Sequence, residues 1–538
     1  MLSSPTARRF ATACCSLFLL AGAALIPRLG IQADEAGYAG ALLPPRAEVY
    51  ALHLGRHAIP LMLMSYVGTL KALLYRPMIR WFGTGVWATR VPMLLAGAAT
   101  IWLWYLLLRR IASERAAAIG CGLLATDALF LLTTCFDWGP VALQHLLVAG
   151  GLLLVVQGWQ ERREVAWAAG FFLFGLTLWD KALAVWILTG LAVATLAVFP
   201  HQVRSGLTPR RAGVAVLALL LGASPLIWYN LHTRGATLRE TATADTAGLS
   251  HKVLLLRLTA NGSGLFGTLN NEDYQTPRPH APRNWLERTS AAIASLLGHP
   301  RESLLPWAFA AALLLAPLSR GPDLRLILFA LITMAVAWGQ MVFTARAGGS
   351  VHHTILLWPF PQMAIGISFA AASRRLGRAA LPVLAAVLAV LMASGLAVIN
   401  EYHAVMVRDG GLMDWSDAIF PLSEYLAKAP AQQVFAVDWG ILEGLRLLDR
   451  GRLNLGLGGD PIGKLELSPP DQAQVVRQIS RPYHWFVTHV PNLEFQVGLN
   501  DKLLRFASER GYRREMLTVI QDSYGRPTFE IFRFIRSP

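Results

Sequence analysis

The chain has 538 residues, of which 54% are hydrophobic and only 15% are charged. This composition is too apolar for an ordinary soluble protein of this size, and the 17 tryptophans suit a bilayer interface. The net charge of +15 does not indicate a nucleic-acid partner, because the basic residues form short clusters between apolar segments rather than one stripe. An integral membrane protein in contact with membrane lipids is therefore predicted.

A helix needs roughly 20 residues to cross a bilayer. Runs of apolar residues close to this length predict about eleven transmembrane helices. The segments are 10–29, 91–108, 116–134, 141–158, 166–179, 182–199, 212–231, 304–318, 326–344, 354–372 and 381–399. Arginine clusters fall on one side of this count, at Arg8/Arg9, Arg109/Arg110/Arg115, Arg162/Arg163, Arg204/Arg210/Arg211, Arg320/Arg325 and Arg374/Arg375/Arg378. By the positive-inside rule that side is cytoplasmic. We therefore expect a multi-pass protein of a bacterial plasma (inner) membrane with a cytoplasmic N-terminus.

The external side then receives the segments that carry most of the remaining polar residues. They are 30–90, the short turns 135–140 and 180–181, the loop 232–303, the turn 345–353 and the tail 401–538. Within the first of them, Ile59–Phe82 mixes apolar, aromatic and basic residues, which predicts an amphipathic helix along the outer leaflet.

The tail 401–538 lacks long apolar runs and predicts a small extracytoplasmic α/β domain after a transmembrane domain of residues 1–400. Its β-like runs alternate with helical patterns, as expected for such a domain. The runs are Val434–Val437, Trp485–Val490, Met516–Ile520 and Phe529–Phe534, and the helical patterns lie near 441–449, 471–480 and 500–510.

Asp34 and Glu35 lie just beyond the first predicted span. Adjacent carboxylates near a membrane are costly unless they pair, bind a metal or take part in chemistry. A divalent ion, Mg or Mn, is the one cofactor that they suggest. The alternative is a solvated acidic pair at a helix exit.

Five further charged residues lie on or near the external rim: Lys71, Arg90, Asp137, Asp180 and Lys181. A lysine ammonium suits a phosphate oxygen, but Lys71 and Arg90 also fit basic residues that snorkel to the headgroups. Very short external turns stay close to the membrane, so Asp137 and Lys181 should border any cavity there. Asp137 positions an acceptor, holds a metal or simply caps a turn. Because adjacent helical side chains do not face each other, separate roles for Asp180 and Lys181 are favoured over a simple pair.

Other polar residues are secondary candidates. Asp127 falls inside a predicted span and should face the bundle interior, either lining a groove or as a buried, hydrogen-bonded acid. His352 and His353 open the tenth span and suit phosphate binding, proton transfer or metal ligation, or are ordinary interface residues. The polar cluster 270–273 is read as a solvated turn rather than as an acceptor contact.

Several short stretches occur in one order and on one predicted side of the membrane. They are DEAGY at 34–38, YVGTLK at 66–71, FDWGP at 136–140, WDK at 179–181 and GGSVHH at 348–353. Over roughly residues 10–400 the chain thereby resembles the multi-span C-type glycosyltransferases, nearest to the protein O-mannosyltransferases and lipid A aminoarabinose transferases. Relatives of the second kind often carry an arginine where Gly37 precedes Tyr38 here, so one phosphate contact is missing and the donor sugar stays open.

The resemblance implies transfer of a sugar from a polyprenyl phosphate to a lipid, glycan or protein acceptor on the external face, by an inverting displacement. Such a reaction needs a base for the acceptor and positive charge for the leaving phosphate. Asp34 matches the family's catalytic carboxylate and is assigned as the base, with Glu35 and Asp137 as further acidic groups. Donor-phosphate contacts are expected from Lys71, Lys181, Arg90, His352, His353, Tyr38 and Tyr66.

Two other functions compete with this hypothesis. A transporter or flippase of lipid-linked sugars would also have many spans, but such proteins often show internal repeats and sites near the bilayer midplane. Here the polar residues concentrate on the external rim, with Asp127 as the main exception. A non-catalytic member that uses its external domain for binding is the third possibility.

Overall fold

The computed structural model describes residues 4–55, 57–246, 248–272, 277–345 and 347–538; Asp273 of the predicted polar cluster lies outside them. The helices are α1 (Ser4–Leu25), α2 (Ala33–Ala36), α3 (Leu70–Phe82), α4 (Val86–Ile111), α5 (Glu114–Ala125), α6 (Ala128–Cys135), α7 (Val141–Gln160), α8 (Glu164–Asp180), α9 (Val185–Val198), α10 (Pro200–Gly206), α11 (Pro209–Gly222), α12 (Ser224–His232), α13 (Ala236–Thr241), α14 (Leu249–Asn261), α15 (Trp285–Leu296), α16 (Leu305–Leu315), α17 (Pro322–Phe343), α18 (Val351–Thr354), α19 (Phe360–Ser373), α20 (Ala380–Asp409), α21 (Ile419–Ala427), α22 (Ile441–Leu448), α23 (Pro469–Ile479) and α24 (Leu499–Ser508). The strands are β1 (Tyr50–Leu54), β2 (His57–Met64), β3 (Val67–Gly68), β4 (Gln433–Ala436), β5 (Leu455–Leu457), β6 (His484–His489), β7 (Tyr512–Gln521) and β8 (Pro527–Arg536).

The helical part has several segments that can cross a membrane. Among the described residues five are long and apolar enough, or up to eight if each bent helix pair counts as one span. The bent pairs are α5 with α6, α9 with α10 and α11 with α12. A multi-span helical protein is thus confirmed. The predicted number of about eleven stays a prediction, because helices such as α8, with 17 residues, and α16, with 11, are short for a bilayer.

Small residues allow these helices to pack closely. A Cβ at Gly175 in α8 would lie 2.2 Å from the carbonyl oxygen of Leu219 in α11, so the two backbones approach as membrane helices with small interface residues do. A Cβ at Gly97 in α4 would likewise lie 2.5 Å from the methyl of Thr134 in α6. This packing fixes the short turns at the helix ends, which carry the polar candidates.

The first segment predicted to be external differs in structure from its prediction. Strands β1, β2 and β3 form a small antiparallel sheet, and helix begins only at Leu70. Pro60 has no N–H to donate and disfavours helix in the residue before it, while Gly55, with φ of 58°, makes the hairpin turn. The predicted helix over Ile59–Phe82 is therefore wrong in its first part and confirmed in its second. Its interfacial position stays a prediction, which the 71% exposure of Trp81 favours.

The C-terminal part is the predicted α/β domain. Its sheet has the order β5-β4-β6-β8-β7, with β5, β4 and β6 parallel and β8 antiparallel to β6 and β7. Alternate residues of β4 face opposite sides of the sheet. Helices α21 and α22 pack against one face, and α23 and α24 pack against the other. Each strand and helix predicted for this domain is present, and α20 continues to Asp409, past the predicted boundary at residue 400. The division of the chain into two domains stays a prediction. Its extracytoplasmic side stays a prediction.

Candidate active site

The two acidic residues after the first span lie in the single-turn helix α2. Gln32 is the N-cap, and its Oε1 accepts hydrogen bonds from the backbone N–H groups of Asp34 at 2.6 Å and Glu35 at 3.3 Å. These bonds satisfy two donors that a helix N-terminus leaves without intrahelical partners. Because the cap holds both backbone amides, it fixes the stretch of backbone from which both carboxylates project.

Glu35 and Arg90 form an ion pair with each other at the base of this turn. The two carboxylate oxygens accept from Arg90 at 2.6 and 2.9 Å, and both side chains are completely buried. The other guanidinium N–H groups donate to the carbonyl oxygens of Ile26, Leu29 and Gly30. The pair therefore fastens the turn after α1 to α4.

The same contacts bear on the metal considered for Asp34 and Glu35. Both Glu35 oxygens already accept hydrogen bonds from Arg90, so they are not free to ligate an ion. Across the described residues no group of three or more His, Cys, Asp or Glu is arranged to hold a metal ion. Glu35 is therefore unsuited to the metal-ligand role considered for it, and the divalent ion stays a prediction.

Asp34 is half-buried and faces charged groups from three other segments. Burial raises the pKa of its carboxyl group above the usual value, while Lys181, a hydrogen bond from the Trp138 indole and Lys71 act in the lowering direction. Asp137 adds to the upward shift. The carboxyl group is therefore a stronger base than an exposed aspartate and has two ammonium groups beside it.

Lys71 comes from the start of α3 and reaches the same place. Its Nζ donates to the carbonyl oxygen of Glu35 at 3.1 Å and forms an ion pair with Asp137. The ammonium also lies over the rings of Tyr38 and Tyr75, 4.9 and 5.5 Å from their centroids, where cation–π attraction favours it. The lysine is buried, so it is not a headgroup-level snorkelling residue.

The turn between α6 and α7 brings the remaining polar turns together. Asp137 adopts a positive φ of 41°, and its Oδ1 accepts from the backbone N–H of Ala142 at 3.3 Å. Lys181 Nζ donates to the carbonyl oxygen of Gly139 at 3.2 Å. A Cβ at Gly139 would lie 3.0 Å from the His352 ring. Gly139 has a positive φ of 66° and no side chain, which leaves space beside both Lys181 and His352.

Three more predicted residues border this cluster. Asp180 is buried and interacts electrostatically with Asp137, Lys71 and Lys181. The carbonyl oxygen of Tyr66 accepts from the backbone N–H of Ala182 at 2.9 Å, so the strand region before α3 lies along the 180–182 turn. His353 packs on His352, with the two ring centroids 4.2 Å apart.

Asp127 has a different environment. Its Oδ1 accepts from the backbone N–H of Phe130 at 2.9 Å and caps α6. Its Oδ2 accepts from the Trp358 indole at 2.6 Å and from Gln362 at 3.2 Å. These donors make it a buried, hydrogen-bonded acid at a helix break, and the structure does not bring it to Asp34.

No pattern in the sequence indicates that the C-terminal part reaches this cluster. Gln32 Nε2 donates to Asp414 Oδ2 at 2.8 Å, and the Trp415 ring packs on Trp138 at 5.9 Å. Glutamine is not a usual N-cap residue, and 382 positions separate Gln32 from Asp414. No local pattern in a single sequence signals such a contact.

A separate open cavity of about 610 Å³ lies in the C-terminal domain, lined among others by Gly459, Lys464, Gly498 and Lys502. None of the residues around Asp34 lines it. The candidate active site is therefore identified by converging charges, not by cavity size.

Comparisons with known proteins agree with the fold. Residues 68–229 match the dolichyl-phosphate-mannose-protein mannosyltransferase family, whereas no curated protein gives a significant match. ArnT from Cupriavidus metallidurans bound to undecaprenyl phosphate is similar with a TM-score of 0.56 and 14% identity over 98% of each chain. The arabinofuranosyltransferase AftD from Mycobacteria gives a TM-score of 0.50 and 15% identity over 98% of this chain and 41% of that one. The Archaeoglobus fulgidus oligosaccharyltransferase gives 0.50 and 13%, over 98% and 74%.

At these identities the structural matches establish the fold. The matched family segment runs from β3 to α12 and includes Lys71, Asp137 and Lys181. The chain is accordingly a multi-span membrane protein with the fold of the C-type glycosyltransferases.

Proposed function

We propose that this protein is a membrane glycosyltransferase that moves a sugar from a polyprenyl phosphate to an acceptor on the external face of the membrane. The observation that carries the proposal is the convergence of a half-buried base with buried cations, since Asp34 faces both Lys71 and Lys181. The similar fold of ArnT, which binds undecaprenyl phosphate, supports a lipid-linked donor. The acceptor remains a lipid, a glycan or a protein.

In this proposal the carboxylate of Asp34 takes the proton from the acceptor's nucleophilic group. The acceptor heteroatom then forms a bond to the anomeric carbon while the bond from that carbon to the phosphate oxygen breaks. The electron pair leaves with the polyprenyl phosphate, and attack from the opposite face inverts the anomeric centre. Its raised pKa suits Asp34 to this task, because a general base works best when its pKa approaches the working pH.

The ammonium groups have the complementary task of stabilising the departing phosphate. Lys71 and Lys181 are both buried, so their charges act where solvent screens little. Asp137 holds Lys71 in place through their ion pair. His352 lies on the other side of Gly139 from Lys181, and we assign it a hydrogen bond to the same phosphate.

The remaining assigned residues act less directly in this scheme. Glu35 and Arg90 hold the loop of the base through their ion pair. Tyr38 holds the Lys71 ammonium with its ring, and Tyr66 aligns the backbone beside Lys181.

The test is sugar release from a radiolabelled polyprenyl-phosphate donor by the purified protein with bacterial envelope acceptors. Wild type should release the sugar, and Asp34→Asn should lower the rate by at least about 10²-fold, in the range attributed to general base catalysis. Asp501→Asn, an exposed carboxylate on α24, is the matched control and should keep wild-type rates. Full activity in Asp34→Asn would remove the proposed base, and donor movement across vesicles without cleavage would favour a flippase.

A further inference from the structure

Gln32 links the candidate base to the C-terminal part of the chain. The side chain is 1% exposed, and both ends of its amide are engaged. Its Oε1 accepts from the backbone N–H groups of Asp34 and Glu35, while its Nε2 donates to Asp414 Oδ2 at 2.8 Å. An amide with both ends bonded cannot rotate without breaking one set of bonds.

Asp414 is in turn held in place by the turn that carries it. Met413 before it has a positive φ of 48°, a conformation that a non-glycine residue keeps only when its surroundings enforce it. The N–H of Leu412 donates to the carbonyl oxygen of Leu269 at 3.1 Å, and the carbonyl oxygen of Trp415 accepts from Gly30 at 2.8 Å. The turn therefore bridges an external loop and the segment that leads to the base.

The C-terminal domain stands directly behind this turn. A Cβ at Gly440, the N-cap of α22, would lie 3.4 Å from Cβ of Asp414. A Cβ at Gly444 in α22 would lie 3.2 Å from the carbonyl oxygen of Ile31. Burial raises the pKa of Asp414 to about 6, so its carboxylate is ionised at neutral pH and accepts the amide hydrogen bond strongly.

We infer that Gln32 and Asp414 are positioning residues for the reaction, through which the C-terminal domain sets the orientation of Asp34. The inference rests on the proposed role of Asp34 as base. Neither residue needs to touch donor or acceptor, because the effect passes through the backbone amides of α2.

The expected effect is on the chemical step. A misplacement of the reacting group by about 1 Å can cost 10²-fold in rate, so Gln32→Met and Asp414→Leu should lower kcat by roughly 10- to 100-fold while the donor KM changes little. Asp414→Asn keeps an acceptor oxygen for Gln32 and should stay near wild type. Asp409→Asn, at the end of α20 where Arg408 pairs with it, is the matched control and should also stay near wild type.

Hydrogen exchange tests the same inference without relying on activity. In the full-length protein in detergent, amides of the peptide 30–38 should exchange faster in Gln32→Met and Asp414→Leu than in wild type, Asp414→Asn or Asp409→Asn. Unchanged exchange in the two disruptive variants would overturn the inference. So would a rise in donor KM with kcat intact, or an equal loss in Asp414→Asn.

The two measurements also separate this inference from the proposed function. If wild type releases no sugar but the exchange pattern follows Gln32 and Asp414, the link between the C-terminal domain and α2 stands and the proposed function falls. If Asp34→Asn is inactive while Gln32→Met is fully active with unchanged exchange, the proposed function stands and the positioning role falls.

Discussion

The ion pair between Glu35 and Arg90 gives a prediction of defined size. Both side chains are completely buried, and Arg90 donates to Glu35 and to three backbone carbonyl oxygens. Removing one partner of such a pair leaves an uncompensated buried charge, which costs about 3–5 kcal/mol. We therefore expect Glu35→Gln and Arg90→Met each to lower the free energy of unfolding by about that amount.

The assay is equilibrium unfolding of the purified protein in mixed micelles, with the double variant Glu35→Gln/Arg90→Met completing a cycle. Because the double variant buries no charge at this position, its loss should be smaller than the sum of the single losses by about 1–3 kcal/mol. The ion pair would not have this stabilising role if each single variant lost almost no stability, the losses were additive, and Arg90→Met raised the donor KM. That result would make Arg90 a donor-phosphate ligand.

Three further predictions concern the base, the phosphate and the C-terminal domain. Because Asp34 must be ionised to act and burial raises its pKa, kcat/KM should fall as pH drops through a value above the usual aspartate pKa of about 4. Lys181→Met removes a charge that lowers the pKa of Asp34, so it should move this acidic limb of the pH profile to higher pH. An acidic limb that stays in place would contradict the interaction between Lys181 and Asp34. Lys71→Met should lower kcat/KM for the donor by about tenfold or more. Lys71→Arg should keep only part of the wild-type kcat/KM, because a guanidinium does not replace a compact ammonium. Full activity in Lys71→Met would rule out a role of Lys71 in stabilising the phosphate. In calorimetry, Phe486→Ala should destabilise the C-terminal domain by about 3–5 kcal/mol, because Phe486 lies in the core against the sheet. Leu465 is fully exposed, so Leu465→Ala should change the stability little. Equal losses of stability in the two variants would contradict the assignment of Phe486 to the core.

Features with a strong period or a strong local signal were predictable from the sequence. Apolar runs marked the multi-span part, and alternating patterns marked each strand and helix predicted in the tail. Helix α3 was visible only in part, because the apolar composition of β2 resembles that of an amphipathic helix. Pro60 and Gly55 were the signals that separate the two.

The polar candidates were predictable as a group but not as pairs. Shared sidedness placed Asp34, Lys71, Asp137 and Lys181 on one rim, and the structure brings their side chains together. Sequence could not show that Glu35 pairs with Arg90, because that contact depends on how α4 packs against the first turn. For the same reason the bond from Gln32 to a residue of the C-terminal segment was not visible.

The arrangement of base and cations is tested most directly by a structure of the protein with polyprenyl phosphate bound. We expect a phosphate oxygen within hydrogen-bond distance, about 2.7–3.2 Å, of Nζ of Lys71 or Lys181, with Asp34 facing the position of the anomeric carbon. A phosphate bound away from both lysines, such as one held by Lys464 and Lys502 in the C-terminal cavity, would contradict it.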